Sequence, residues 1–275
     1  MPARLISIPF LLSTALFAYL ALEVDEQYSL YIVASVIVLA IIYTLSPQIN
    51  WWWYRKHPPE IDAPMRKLLV DNHAFYNDLS VAEKQTFRHR MALYKMAVEF
   101  IPKGWEQIPE DVKGVIAANV VQMTFRKEDF LLPKFERIVV YKLPFPSPQF
   151  PEVLHASEVF EEDGVFLFSA QQVMWSFAQP STYYNLVLHE YVNAFRLSYP
   201  SLDYPIETTI EWSLLERISG FKKEQIEGII NLPNQSKTTV SGVLFFTHGS
   251  TFQRLAPKLY QKWETIFGGE NRTIL

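Results

Sequence analysis

The chain has no cysteine. That excludes disulfides, cysteine nucleophiles and thiolate metal ligands, and it favours a reducing compartment. An excess of basic residues is missing too. Lys and Arg number 25 against 29 Asp and Glu, a net charge of -4, so nothing in the balance points to nucleic acid. Glycine is scarce, at 9 residues against 18 prolines, which predicts loops with fixed turns rather than flexible ones. No internal repeat and no low-complexity segment occurs. Apolar residues make up 49% of the 275, and aromatics 15%. That is enough for a sizeable core in one large domain or two small ones.

Charge is also absent from two stretches near the N-terminus, Leu5 to Leu22 and Ser29 to Ser46. Each is close to the lower length limit for crossing a hydrocarbon core of roughly 30 Å. The short polar link Glu23-Val24-Asp25-Glu26-Gln27-Tyr28 joins them, so residues 5–46 read as a transmembrane hairpin. Arg4 precedes the first run, and Arg55, Lys56, Arg66 and Lys67 follow the second, while the link carries only acids. The positive-inside rule then puts both chain ends in the cytoplasm, as a multi-pass protein of the inner membrane. Trp51-Trp52-Trp53-Tyr54 follows as an interfacial aromatic belt. A cleaved signal peptide with one span is the competing reading. The first run is long for a signal core, and no small-x-small cleavage site precedes Glu23.

His57-Pro58-Pro59 reads as a stiff linker. The expected division is 1–57 for the hairpin with its aromatic segment and 58–275 for a soluble domain. Within that domain the residues predict a helix over Pro64 to Asp78. A second opens on the capping box Ser80-Val81-Ala82-Glu83 and runs to about Phe100. A third spans Pro109 to Thr124. Arg137 to Tyr141 and Gly164 to Phe168 read as strands. Further helices are expected over Ser169 to Phe177, Glu207 to Ile218 with a stop at Gly220, Lys223 to Ile230, and a closing amphipathic helix over Phe252 to Phe267. The fold class is α+β with helices outnumbering strands.

The most informative stretch is Ser181 to Phe195, read as a helix with Ser181 at its N-cap. Leu186, Val187, Val192 and Phe195 give it faces for burial, so the helix should be largely buried. His189 and Glu190 sit in its middle. His189-Glu190-Tyr191-Val192-Asn193 is one residue away from the zinc-peptidase signature His-Glu-x-x-His. In that signature two His at i and i+4 hold the metal and the Glu is general base on metal-bound water. Here the fifth position is Asn193, a poor zinc ligand. A hydrogen-bonded His189–Asn193 pair is the structural expectation for this turn of helix.

Several stretches, in order, carry a resemblance. They include Val115-Ile116-Ala117-Ala118-Asn119, Ile138-Val139-Val140-Tyr141 and Gly164-Val165-Phe166-Leu167-Phe168. Asn185-Leu186-Val187-Leu188-His189-Glu190, Phe245-Phe246 and Ala256-Pro257-Lys258-Leu259-Tyr260 complete the set. Together they resemble the bacterial Mlc titration factor A family of zinc peptidases over roughly residues 79 to 268. The transmembrane hairpin lies outside that match. The resemblance implies a zincin-type domain in which His189 matches the first zinc ligand and Glu190 the catalytic base. Asn193 stands at the second ligand position. The third falls on Ser236 or Gln235, depending on a one-residue gap, and a further Glu of the family falls on Val243.

The resemblance therefore implies a degenerate site. The expected function is a membrane-anchored, non-catalytic binding or regulatory module with no cofactor and a peptide or protein partner. The alternative is an active zinc-dependent metallopeptidase using replacement ligands, with His155, Glu207 and His248 as the residues to examine.

Overall fold

The computed structural model describes residues 2–268. The chain divides into two compact units, Met1–Pro59 and Glu60–Leu275.

In the first unit the uncharged runs form helices α1 (Pro2–Glu23) and α2 (Ser29–Thr44). A single turn of 3₁₀-helix over Glu26–Tyr28 reverses the chain, with the Asp25 carboxylate accepting from the Gln27 amide. The two helices pack along each other, tied by a 3.1 Å hydrogen bond between the Ser13 and Ser35 hydroxyls and by Phe17 stacked on Tyr31. Leu12, Leu16, Leu30 and Val33 face outward. An apolar exterior over helices that satisfy their own backbone is what a hydrocarbon solvent selects. Both helices are long and apolar enough to cross a membrane. The Trp51–Tyr54 segment is itself helical, in α3 (Ser46–Lys56) with a proline in its first turn. Asn50 Oδ1 accepts from the Ala3 amide at 3.1 Å and ties α3 to the start of α1.

The second unit opens with α4 (Ala63–Asn72), α5 (Ala74–Asp78) and α6 (Val81–Ala97). The expected single helix over Pro64 to Asp78 is broken at His73. Its backbone is extended, and its ring Nδ1 accepts from the Tyr76 amide, capping the new helix. The Ser80–Glu83 capping box opens α6 as expected. That helix stops at Ala97 rather than Phe100, and the next residues form strand β1 (Glu99–Lys103). Helix α7 (Glu110–Thr124) then crosses back to β2 (Arg137–Tyr141), followed by β3 (Ser157–Phe160) and β4 (Val165–Ser169). The strand order is β1-β2-β4-β3. β1, β2 and β4 are parallel, and β3 is an antiparallel edge strand paired Ser157 to Phe168 and Phe160 to Val165. Gly164, with φ +61°, turns β3 into β4, and a β-carbon there would run into the Lys134 carbonyl.

Helices follow to the end: α8 (Ala170–Ala178), α9 (Leu186–Ser198), α10 (Trp212–Ser219), α11 (Lys223–Ile230), α12 (Lys237–Thr247), α13 (Gly249–Leu255) and α14 (Pro257–Phe267). Three expectations are corrected here. Helix α9 starts at Leu186, not near Ser181, because the Asn185 side chain caps it by accepting from the Leu188 amide. Glu207–Thr209 is a 3₁₀ turn, separate from α10. The closing helix is two helices, broken at Ala256 because the residue before a proline avoids helical geometry. The fold is α+β, mostly helical around one small sheet. Its core runs from Ile138, Val140, Phe166 and Phe168 through the fully buried middle of α7 to Trp263.

Candidate functional site

Helix α9 is the buried axle of this unit. Every residue from Leu186 to Phe195 is buried except Asn193. Its N-terminus is fixed by Asn185, which caps the helix and also donates to Asn119 Oδ1 of α7 at 2.7 Å. The helix lies against edge strand β3 on one side and α12 on another, so His189, Glu190 and Asn193 meet different neighbours.

His189 is 1% exposed. Its Nδ1 is hydrogen-bonded to the Tyr184 hydroxyl at 2.9 Å, with the two rings edge to face. Burial pushes its pKa down to about 4. The nearby Arg196 charge acts in the same direction, and a hydrogen bond with Gln235 opposes it. The imidazole is therefore neutral at physiological pH. Glu190 is 4% exposed and accepts from Ser157 Oγ of β3 at 2.7 Å. Burial pushes this carboxyl up to about 7. The Glu158 charge adds to the rise, while Ser157, Asn193 and His155 counter it. His155 and Glu158 form a buried pair beside it, Nε2 to Oε2 at 3.0 Å. Burial disfavours the His155 cation, but the Glu158 hydrogen bond, the Val153 carbonyl and the two carboxylates outweigh it and raise the pKa.

Asn193 and Ser236, which the sequence resemblance sets at expected ligand positions, join a single polar network. Asn193 Oδ1 accepts from Thr239 Oγ1 at 2.6 Å, rather than pairing with His189 as expected. Arg196 Nη1 donates to Thr239 Oγ1 at 2.7 Å and to Ser236 Oγ at 3.2 Å. Ser236 Oγ donates to Glu207 Oε2 at 2.7 Å. Glu207 also accepts from the Lys237 and Thr238 amides, at 2.6 and 3.0 Å. It thus caps α12 from outside the helix, where a carboxylate complements the orphan amides and the helix dipole. Those hydrogen bonds hold its pKa low against the opposing effect of burial. Gln235 Nε2 donates to the Leu232 carbonyl. Val243 is fully buried, and His248 bonds its neighbour Thr247.

The structure brings His189, Glu190, Asn193, Gln235 and Ser236, singled out in the sequence, into one region, together with Ser157, Tyr184, Arg196 and Thr239, which were not singled out. Only Arg196 had a local signal: three residues after Asn193, it shares that face of α9. Among the described residues no group of three His, Cys, Asp or Glu side chains is placed to hold a metal ion. Cavities of about 240, 460 and 140 Å³ open elsewhere in this unit, and neither His189 nor Glu190 lines any of them.

Compared with known proteins, the chain matches no curated one. The model of the glucose-regulated metallo-peptidase M90 family does match it, over residues 48–195. The match takes in most of α3 and ends just past Asn193, before Gln235 and Ser236 are reached. It covers just over half of the 275 residues, and with it the chain belongs to the M90 family of metallopeptidases, that of Mlc titration factor A.

Proposed function

We propose that this protein is a membrane-anchored, metal-free member of its family that binds a peptide or protein and does no peptide hydrolysis. One observation carries the reading: the guanidinium of Arg196 holds Ser236 directly and Asn193 by way of Thr239. A catalytic zinc needs three protein ligands and an open position. Here one imidazole remains, bonded to Tyr184. The second position holds the Asn193 amide, bonded to Thr239, and the third, on Ser236 or Gln235, holds a hydroxyl bonded to Arg196 or an amide bonded to the Leu232 carbonyl. These residues do not fit the zinc of the family. Without metal, Glu190 has no activated water to deprotonate, and its burial denies it a substrate.

The second reading, an active zinc peptidase, draws support from the retained His189-Glu190 and from a Glu190 pKa near 7, which suits a general base. Replacement ligands are harder to find. His155 is paired with Glu158, and Glu207 caps α12. The two readings separate on the full chain in detergent. Elemental analysis should find far less than one zinc per chain after dialysis against micromolar zinc, and chelator-sensitive peptidase activity should be absent. Near-stoichiometric zinc, with activity lost in Glu190→Gln, would replace the first reading by the second.

For the anchor, the two apolar helices together with the basic flanks Arg4, Arg55 and Lys56 support an inner-membrane hairpin with the second unit in the cytoplasm.

A further inference from the structure

Away from α9, the ends of α7, α12 and α14, the short helix α5 and one face of α6 line two adjoining open cavities of about 240 and 460 Å³ that share Phe75, Phe125 and Arg126. The smaller is walled largely by aromatics, with Glu264 its one acid beside Arg126. Phe245 and Phe246 of α12 lie at ring distances of 5.0 Å from each other, and Phe245 lies 4.9 Å from Tyr260 of α14. Phe75, Phe125, Phe245, Phe246 and Tyr260 are all only partly buried. Five half-exposed rings around one hollow leave apolar surface unsatisfied, a pattern that marks binding surfaces in soluble domains. The larger cavity is basic, lined by Arg90, Arg126 and Lys127 against Glu83 alone. Arg90 and Lys127 are fixed by backbone carbonyls, Arg90 on Thr124 and Phe125 and Lys127 on Ile266. Arg126 is exposed and makes no hydrogen bond or ion pair among the described residues. It stands at the junction of the two cavities.

We propose that this surface docks a short segment of a partner protein in which one large aromatic side chain is flanked by carboxylates. The aromatic fills the smaller cavity, where a buried ring packed on rings gains most as an anchor. The carboxylates lie over the larger cavity. Arg126 pairs with one of them, and the fixed charges of Arg90 and Lys127 set the sign of the field. The inference goes beyond the metal-free reading and is independent of it, since no residue of the α9 site is involved.

The test uses the full chain in nanodiscs of neutral lipid. The probe is a fluorescein-labelled synthetic peptide with one Trp between Asp and Glu residues, read by anisotropy. Two controls replace Trp by Ala, or the acids by Lys and Arg. The acidic Trp peptide should bind at least about tenfold more tightly than either control. Arg126→Glu, a change at an exposed side chain, should reverse the preference toward the basic peptide. Equal binding of the three peptides, or an unchanged preference in Arg126→Glu, would overturn the proposal. So would self-association of the chain that Arg126→Glu abolishes, which would make a second copy the occupant.

Discussion

Two adjacent side chains on α9, His189 and Glu190, are shifted in opposite directions by the same cause. Burial excludes the charged form of each, so the histidine is driven down to about 4 and the carboxyl up to about 7. The consequences for stability are opposite in sign. Glu190 holds its proton more tightly folded than unfolded, so its contribution is fully present below about pH 4.5 and is lost as pH rises toward 7. His189 binds its proton more weakly when folded, so its contribution is present above about pH 6.5 and is lost as pH falls toward 4. Glu190→Gln removes the first of these. Its stability relative to the parent chain should improve by on the order of 3 kcal/mol between pH 4.5 and 7.5, measured by denaturant titration at several pH values. A difference that stays flat across that window would show that Glu190 is not buried as an acid. The Arg196 network makes a second residue-scale prediction. Asn193→His with Ser236→Glu should gain little zinc affinity while the Arg196 guanidinium stays beside the new ligands. Adding Arg196→Gln should raise it at least about tenfold, read by competition with a chromophoric chelator. Equal affinities with and without Arg196→Gln would mean that the guanidinium does not oppose the metal.

Among the elements, α9 depends on what surrounds it more than on its own propensity. Phe195 is 1% exposed and packs at 4.8 Å ring distance on both Tyr199 and Phe267. Phe195→Ala should destabilise the chain by about 3–5 kcal/mol, and a loss under about 1 kcal/mol would show that the site collapses around the cavity. Helix α12 approaches α9 closely at Gly242. A β-carbon there would come within 2.8 Å of Val192 Cγ1 and 3.0 Å of the Trp263 ring. Gly242→Ala gains helix propensity but overpacks this crossing, and crowding should win with a net loss of about 1–3 kcal/mol. A stabilised variant in thermal melts would show that Trp263 has room to move.

For the whole molecule, the proposed membrane hairpin makes a prediction about orientation. The acids Glu23, Asp25 and Glu26 sit in the hairpin turn, and basic residues flank its outer ends. Reporter fusions should therefore report the far side of the membrane at residue 25 and the cytoplasm at the C-terminus. A C-terminus on the far side would reverse the assignment and move the second unit out of the cytoplasm.

Signals carried by a few consecutive residues were readable from the chain alone. The Ser80–Glu83 capping box, the β-branched run Arg137–Tyr141, the Gly220 stop and the two uncharged runs each depend on neighbours in sequence. So does the burial of α9, written in the spacing of its apolar residues. Strands β1 and β3 were not readable, because Glu99–Lys103 and Ser157–Phe160 have little strand character of their own and exist through pairing with distant segments. The site divides the same way. His189 and Glu190 stand out as a motif, and the departure from His-Glu-x-x-His at Asn193 is visible without coordinates. What these side chains contact is not, because Ser157 reaches Glu190 from 33 residues away, and Ser236 and Thr239 reach Arg196 and Asn193 from 40 and 46. Such contacts form only when the packing of α9 against β3 and α12 brings the segments together, and no local pattern encodes that packing.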